Sequence, residues 1–313
     1  MSATDGTTVR RPRAEDVPAV LDLCIAADTA VIGESDWIEE DLREEWADTD
    51  LERNAWIVEL DGRLAGFTSL DVRGGRLIAD GYVHPELHGR GVGSLLVSLT
   101  EERAAELEPD VPAGERVYLQ NATLNVDPQA TTFYDARGYA PIRHFWKMVA
   151  DLDGPPDVPD VPGVTIRPYR HPDELRALYE ADEEAFADHW DHRGRSYEEW
   201  VGRHVERERF DPTLWWAAEA EDGELAGVAR CDWKRGGDWG WVEGLAVRRA
   251  YRRRGIADAL LKTAFAEFVR RGEHRVALGV DAQSPTGATR LYEKVGMSVF
   301  WEAVVYEKEL RPA

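Results

Sequence analysis

Four stretches of the first half of this chain recur in the same order in the second half, so it must fold as two copies of one unit. Trp56-Ile57-Val58-Glu59-Leu60-Asp61-Gly62-Arg63-Leu64-Ala65-Gly66 returns as Trp216-Ala217-Ala218-Glu219-Ala220-Glu221-Asp222-Gly223-Glu224-Leu225-Ala226-Gly227. Thr8-Val9-Arg10 returns as Thr165-Ile166-Arg167. Arg90-Gly91-Val92-Gly93-Ser94-Leu95-Leu96 returns as Arg254-Gly255-Ile256-Ala257-Asp258-Ala259-Leu260-Leu261, and Phe133-Tyr134-Asp135-Ala136-Arg137-Gly138-Tyr139 as Leu291-Tyr292-Glu293-Lys294-Val295-Gly296-Met297. The first repeat reads as strand, turn, strand, because Asp-Gly favours the positive φ angles of a tight hairpin. Each copy is predicted to run strand, helices, hairpin, strand, helix, strand, helix, strand.

Between the copies lies Asp151-Leu152-Asp153-Gly154-Pro155-Pro156-Asp157-Val158-Pro159-Asp160-Val161-Pro162-Gly163. Proline denies both helix and ladder hydrogen bonds, so this run is expected to be an extended linker. It divides residues 1–150, 151–163 and 164–313. The chain has 313 residues, enough for two domains that each bury a core. Its polar start, Met1-Ser2-Ala3-Thr4-Asp5-Gly6, and the absence of any long apolar run predict a cytoplasmic protein without membrane contact. A net charge of -22 argues against a nucleic-acid surface. Cys24 and Cys231 have no neighbouring ligand spacing, which predicts two buried thiols and no metal site. Monomer and homodimer both stay open.

The third repeat carries the chemistry. A strand that enters a glycine turn and then a helix presents unpaired N–H groups and a partial positive charge to a phosphate. Arg248, Arg249, Arg252, Arg253 and Arg254 gather positive charge there, on a chain that is otherwise acidic. A P-loop would need Gly-Lys-Ser/Thr, and a dinucleotide fingerprint three spaced glycines; neither is present. Arg252-Arg253-Arg254-Gly255-Ile256-Ala257 matches Arg/Gln-x-x-Gly-x-Gly/Ala, and His88-Gly89-Arg90-Gly91-Val92-Gly93 matches it with His88 in the first place. With the preceding strand and the following Leu291-Tyr292, each half resembles the GNAT acetyltransferase superfamily.

That resemblance implies two tandem α/β domains, each a mixed, mostly antiparallel sheet with one parallel pair, its fourth and fifth strands, flanked by helices. It implies acetyl-CoA as cosubstrate, no metal, and a small-molecule amine as acceptor. In the second copy CoA is expected along Leu245, Ala246 and Val247 and on the turn Arg252, Arg253, Arg254, Gly255, Ile256, Ala257 and Asp258. In the first, Val83, Arg90, Gly91, Val92, Gly93 and Ser94 take those places. Acyl transfer to an amine needs a proton acceptor and a group to protonate the departing thiolate. Glu243 is expected to be the base, with neighbouring apolar residues raising its pKa, and Tyr292 the acid.

Aligning the copies on the turn sets Ala79 against Glu243. Strand alternation would point the adjacent Asp80 to the other face. The first copy therefore reads as a degenerate domain that has lost its carboxylate but keeps Tyr134. His189 and Trp190, in Ala187-Asp188-His189-Trp190-Asp191-His192, lie where the family lines its acceptor side; a structural role for His189 is favoured over a proton relay. Trp215, Trp216, Trp239, Trp241 and Trp301 supply core, with an aromatic wall for a cationic amine as the alternative. Tandem members of the superfamily include mycothiol synthase, a second reading, although Gln283-Ser284-Pro285-Thr286-Gly287-Ala288 replaces the Asn-x-x-Ala turn it shares with its relatives. A non-catalytic acyl-CoA sensor is the third.

Overall fold

The computed structural model describes residues 6–190, 192, 194–207, 209–235, 239–284 and 286–313. Residues 1–5, Asp191 and Pro285, which entered the sequence reading, lie outside these. The chain forms two compact units, Met1–His144 with Trp301–Ala313, and Phe145–Phe300.

The first unit contains β1 (Thr7–Arg10), α1 (Val17–Ile32), α2 (Glu39–Ala47), α3 (Leu51–Asn54), β2 (Ala55–Leu60), β3 (Arg63–Arg73), β4 (Arg76–Val83), α4 (Val92–Leu107), β5 (Val117–Leu124) and α5 (Pro128–Ala136). Then comes β6 (Ala140–Asp151), followed by β7 (Val164–Pro168), α6 (Leu175–Phe186), α7 (Tyr197–His204), β8 (Trp216–Ala220), β9 (Leu225–Arg235), β10 (Trp239–Val247), α8 (Ile256–Arg270), β11 (Arg275–Asp281), α9 (Ala288–Lys294) and β12 (Ser298–Arg311). In each unit neighbouring strands are antiparallel, except one parallel pair: β4 with β5, and β10 with β11.

The closing strands depart from the repeat order. β11 pairs along Arg275–Asp281 with the Phe145–Asp151 part of β6, which the sequence assigns to the first copy. β5 pairs with Ala303–Arg311 of β12, the end of the second copy. Packing agrees with the pairing: Met148 and Ala150 are buried with Val276 and Leu278, while Val304 and Tyr306 are buried with Val117 and Leu119. The division between the units thus falls inside a strand, at His144/Phe145, and the proline-rich 151–163 run lies within the second unit.

The hairpin of the first copy turns with Asp61 at φ 51° and Gly62 at φ 78°, the two left-handed residues expected of Asp-Gly. The second copy spends one more residue on its turn, and only Gly223 is left-handed there. Beyond each hairpin, a Cβ on Gly66 would lie 2.8 Å from Val92 Cγ1, and one on Gly227 would lie 2.7 Å from the Ala246 carbonyl oxygen. Glycine at 66 therefore lets α4 settle close to the sheet, and glycine at 227 leaves room for the neighbouring β10 carbonyl. α8 buries Ile256, Ala259, Leu260, Ala264 and Phe268 on that face, as their spacing predicts. Ser196 and Glu199 form the expected reciprocal capping box at the start of α7.

Candidate active site

The parallel pair of each unit is short. β10 runs beside β11 only from Gly240 to Val242, whose partner is Leu278. β4 runs beside β5 only from Arg76 to Ala79, whose partner is Asn121. Past these points the two strands part, leaving one edge of Glu243–Val247, and of Asp80–Val83, without a parallel partner. Such an edge offers backbone donors and acceptors to an extended ligand arm. Leu245, Ala246, Val247 and Val83 all lie on these edges.

After each parting the chain enters the glycine turn expected to hold a phosphate. Gly91 (φ 84°) and Gly255 (φ 85°) cap α4 and α8, and Gly89 (φ 74°) corresponds to Arg253 (φ 64°). The two turns follow one path, and Arg253 occupies a left-handed conformation that a side chain adopts only at some cost. Intrahelical bonding begins at Leu95, to Gly91 O, and at Ala259, to Gly255 O, so the amides of Val92, Gly93, Ser94, Ile256, Ala257 and Asp258 belong to the first helical turns.

The arginine cluster is less positive than its sequence suggests. Arg248 is paired with Glu184 and Glu224, and Arg249 with Asp188. Arg252 reaches Asp188 at 3.1 Å and the carbonyl of Val247 at 3.1 Å, so it braces the turn. Arg253 and Arg254 are exposed and have no acid partner among the described residues; Arg254 donates to the Pro162 carbonyl. Arg90 is likewise exposed in the first unit. The Asp258 carboxylate turns to Lys262 and Lys294, both at 3.4 Å.

Glu243 is the first residue beyond the parting in the second unit. Val242 lies opposite Cys231 and Gly244 opposite Arg230, so Glu243 is an extra residue in β10, a β-bulge. Its carboxylate accepts from Arg235 at 2.7 Å and from the Trp241 indole at 3.1 Å, and its side chain is 19% exposed. Burial alone would raise its pKa, as expected from the apolar neighbours. Arg235, with Arg230 and Arg207 behind it, outweighs burial and holds the carboxyl below the usual Glu value. Tyr292, on α9, is buried, and burial pushes its phenol up to about 12, so it carries its proton at neutral pH.

The bulge also corrects the alignment of the copies. In the first unit the β3–β4 ladder runs without interruption from Gly66/Val83 to Arg73/Arg76, with Asp80 directly opposite Ser69. Asp80, not Ala79, is the first residue beyond the parting there, and so occupies the place of Glu243. Simple alternation does not relate the two strands, because one inserted residue puts Glu243 and Gly244 both against Arg230. A signal was present: Asp80-Gly81 repeats Glu243-Gly244 if one residue is skipped.

On the α6–α7 side of the second unit, Arg230 is buried between Asp182, at 3.1 Å, and His204 Nδ1, at 3.0 Å. The Trp200 indole donates to the same Asp182 at 2.9 Å. Burial, then Arg230, drives the His204 pKa far down, so its Nδ1 accepts. A Cβ on Gly244 would lie 2.5 Å from Arg230 Nη2, which explains the glycine. His189 stacks on Phe186 with ring centroids 4.5 Å apart, and burial lowers its pKa, leaving a neutral ring. Trp190 packs on Phe145, and Trp215 is core. Trp216 packs against the core, Trp239 covers Lys147 with its ring centroid 4.3 Å from Nζ, and Trp301 belongs to the first unit. Only Trp241, of the five, binds the Glu243 carboxylate directly. Burial raises both cysteine thiols, as suits inert core residues.

Two splayed sheets, each with a phosphate turn and a tyrosine helix, define an acyl-CoA-dependent N-acyltransferase, and the chain belongs to the acetyltransferase (GNAT) family, whose model matches residues 23–139 and 175–297. The chain is similar to mycothiol acetyltransferases: 28% identity to that of Nocardiopsis dassonvillei, over 79% of each chain, and 29% to that of Stackebrandtia nassauensis, over 86% of this chain and 87% of the relative. Among solved structures, a GCN5-related N-acetyltransferase from Sphaerobacter thermophilus superposes with a TM-score of 0.90 at 35% identity, over 100% of this chain and 98% of the other. A tandem GNAT protein from the clavulanic acid biosynthesis pathway shares the fold, with a TM-score of 0.76 at 18% identity over 98% and 99% of the two chains. No helix among the described residues is long and apolar enough to cross a membrane.

Proposed function

We propose that the chain transfers an acetyl group from acetyl-CoA to a primary amine of a small molecule, in the cytoplasm, by direct attack within a ternary complex in the second unit. The observation that carries this reading is the placement of Glu243 as the first residue past the β10–β11 parting, with the protonated Tyr292 phenol buried in the same unit. The residues suit acetyl-CoA: the open β10 edge for the pantetheine arm, and the α8 N-terminus with exposed Arg253 and Arg254 for the pyrophosphate. Glu243 stays ionised across the neutral range, so it draws the ammonium in and receives its proton. The amine nitrogen then bonds to the thioester carbon, the C–S bond breaks, Tyr292 protonates the leaving sulfur, and the second nitrogen proton returns to the Tyr292 phenolate or leaves to water.

Thiol release from acetyl-CoA with a panel of primary amines tests this. Glu243→Gln and Tyr292→Phe are each expected to lower kcat/KM by about 10²–10⁴-fold. Unchanged rates in either variant reject that residue's role, and no amine-dependent release by the wild type rejects the reading.

Acetylation to form mycothiol is a second reading, favoured by relatives of that name matching over most of their length. Its departure is the turn around Gln283, Ser284 and Thr286, where Ser284 Oγ bonds Thr286 Oγ1 at 2.8 Å. Turnover of the deacetylated form of mycothiol well above that of simple amines would decide for it.

A further inference from the structure

The first unit keeps an arrangement that the reaction proposed above does not use. Asp80 stands at the β4–β5 parting, in the position Glu243 holds in the other unit. Directly opposite Asp80, Ser69 replaces the bulky Arg230, and the Ser69 hydroxyl donates to Glu45 Oε1, on α2, at 3.5 Å. Asp80 and Glu45 therefore both approach Ser69 on one face of the sheet, and among the described residues neither has an arginine partner. Two residue pairs further along β4, Tyr82 accepts from the Trp37 indole at 3.3 Å, its ring edge-on to Trp37 with centroids 5.9 Å apart.

Two further observations point to a ligand. Asn121, the β5 partner of Ala79 at the last parallel pair, is 4% exposed, and its Nδ2 has no hydrogen-bond partner. Its Oδ1 accepts from the Tyr134 hydroxyl at 3.3 Å. A buried amide with an unused donor is costly unless something fills the parting beside it. The phosphate turn below, with left-handed Gly89 and Gly91 and the exposed Arg90, is also intact.

We propose that the first unit is a second acyl-transfer site, in which Asp80 and Glu45 receive the ammonium of an amine acceptor and Tyr134 stands at the thioester sulfur. The proposal rests on the acyl-transfer reading of the second unit. In the reaction the ammonium passes one proton to the carboxylate pair, and its nitrogen bonds to the thioester carbon. The C–S bond breaks, the sulfur takes the Tyr134 proton, and the second nitrogen proton returns to the phenolate or leaves to water. The surroundings agree. Burial and then the neighbouring Asp80 charge push Glu45 up to about 8, burial raises Asp80, and burial and then Asp80 raise the Tyr134 phenol. A cation would relieve two acids facing each other, and a carboxyl titrating near neutrality is suited to proton transfer.

The test uses the full chain carrying Glu243→Gln and Tyr292→Phe together. Thiol release from acetyl-CoA is followed with butylamine, 1,4-diaminobutane, tyramine and glucosamine. The double variant is expected to retain amine-dependent turnover with at least one of them. Adding Asp80→Asn or Tyr134→Phe should lower that remainder at least 100-fold, with folding checked by thermal melting. If the wild type turns over and the double variant does not, the second site is overturned while the reading of the second unit stands. If the remainder is indifferent to Asp80→Asn, the site is overturned as well. Should the wild type be inactive throughout, the acyl-transfer reading fails, and calorimetric titration with 1,4-diaminobutane decides the site. Binding weakened at least tenfold by Asp80→Asn and by Glu45→Gln supports it; no binding overturns it.

Discussion

The two units of this chain solve one structural problem with opposite charges. In the second, a buried arginine fills the space opposite the parting, pairs with Asp182, and leaves no room for a side chain at 244, so the Glu243 carboxylate arrives on an inserted residue. In the first, a serine stands in that place, the ladder is regular, and the carboxylate sits in line with a second one from α2. A duplication can thus keep a carboxylate at one spatial position while moving it by one in sequence. Sequence alignment then reports a loss where the sheet reports a shift.

The largest expected effect concerns that arginine. Arg230→Met leaves Asp182 buried and unpaired, and should destabilise the second unit by about 3–5 kcal/mol in urea denaturation. Ser69→Ala in the first unit should change stability by about 1 kcal/mol or less. Equal costs would break the contrast between the units. Next come the glycines under the phosphate helices. Gly227→Ala and Gly66→Ala should each cost about 1–3 kcal/mol by overpacking. Gly227 should cost more, because its neighbour is a backbone carbonyl rather than a valine methyl.

A smaller effect separates the two start points of the second helix in each unit. Ser196→Ala removes the α7 cap and should cost about 1 kcal/mol, whereas α2 begins at Ile38 with no side-chain cap to lose. The subtlest effect is a shift in pH. Glu243 is depressed by Arg235, so the stability this pair contributes is present above the unfolded Glu pKa and is lost as pH falls through the lower folded value. If Glu243 is the base proposed above, Arg235→Gln should move the acid limb of the pH–rate profile to higher pH and leave the alkaline limb in place. An unmoved acid limb would show that Glu243 does not set it.

Much of this architecture is legible in the sequence, and for physical reasons. Asp61-Gly62, the Ser196/Glu199 box, the α8 stripe and the Gly91 and Gly255 turns depend on local backbone rules, so they read directly. What does not read is set by distant partners. The apolar surroundings of Glu243 suggested a raised pKa, but Arg235, eight residues earlier and folded back across the sheet, reverses the sign. The positive charge gathered at Arg248, Arg249 and Arg252 is met by Glu184, Asp188 and Glu224, which are remote in sequence. The exchange of closing strands depends on pairing between segments remote in sequence, β11 with β6 and β5 with β12.

That exchange has a consequence for synthesis. Residues 7–144 leave the ribosome first, yet their sheet gains its closing strand only when Trp301–Ala313 follow. Domains ordinarily fold in the order they are made. Here the earlier-made unit must wait with β5 as an open edge while the later one can close at once on Phe145–Asp151. The half that begins first is finished last.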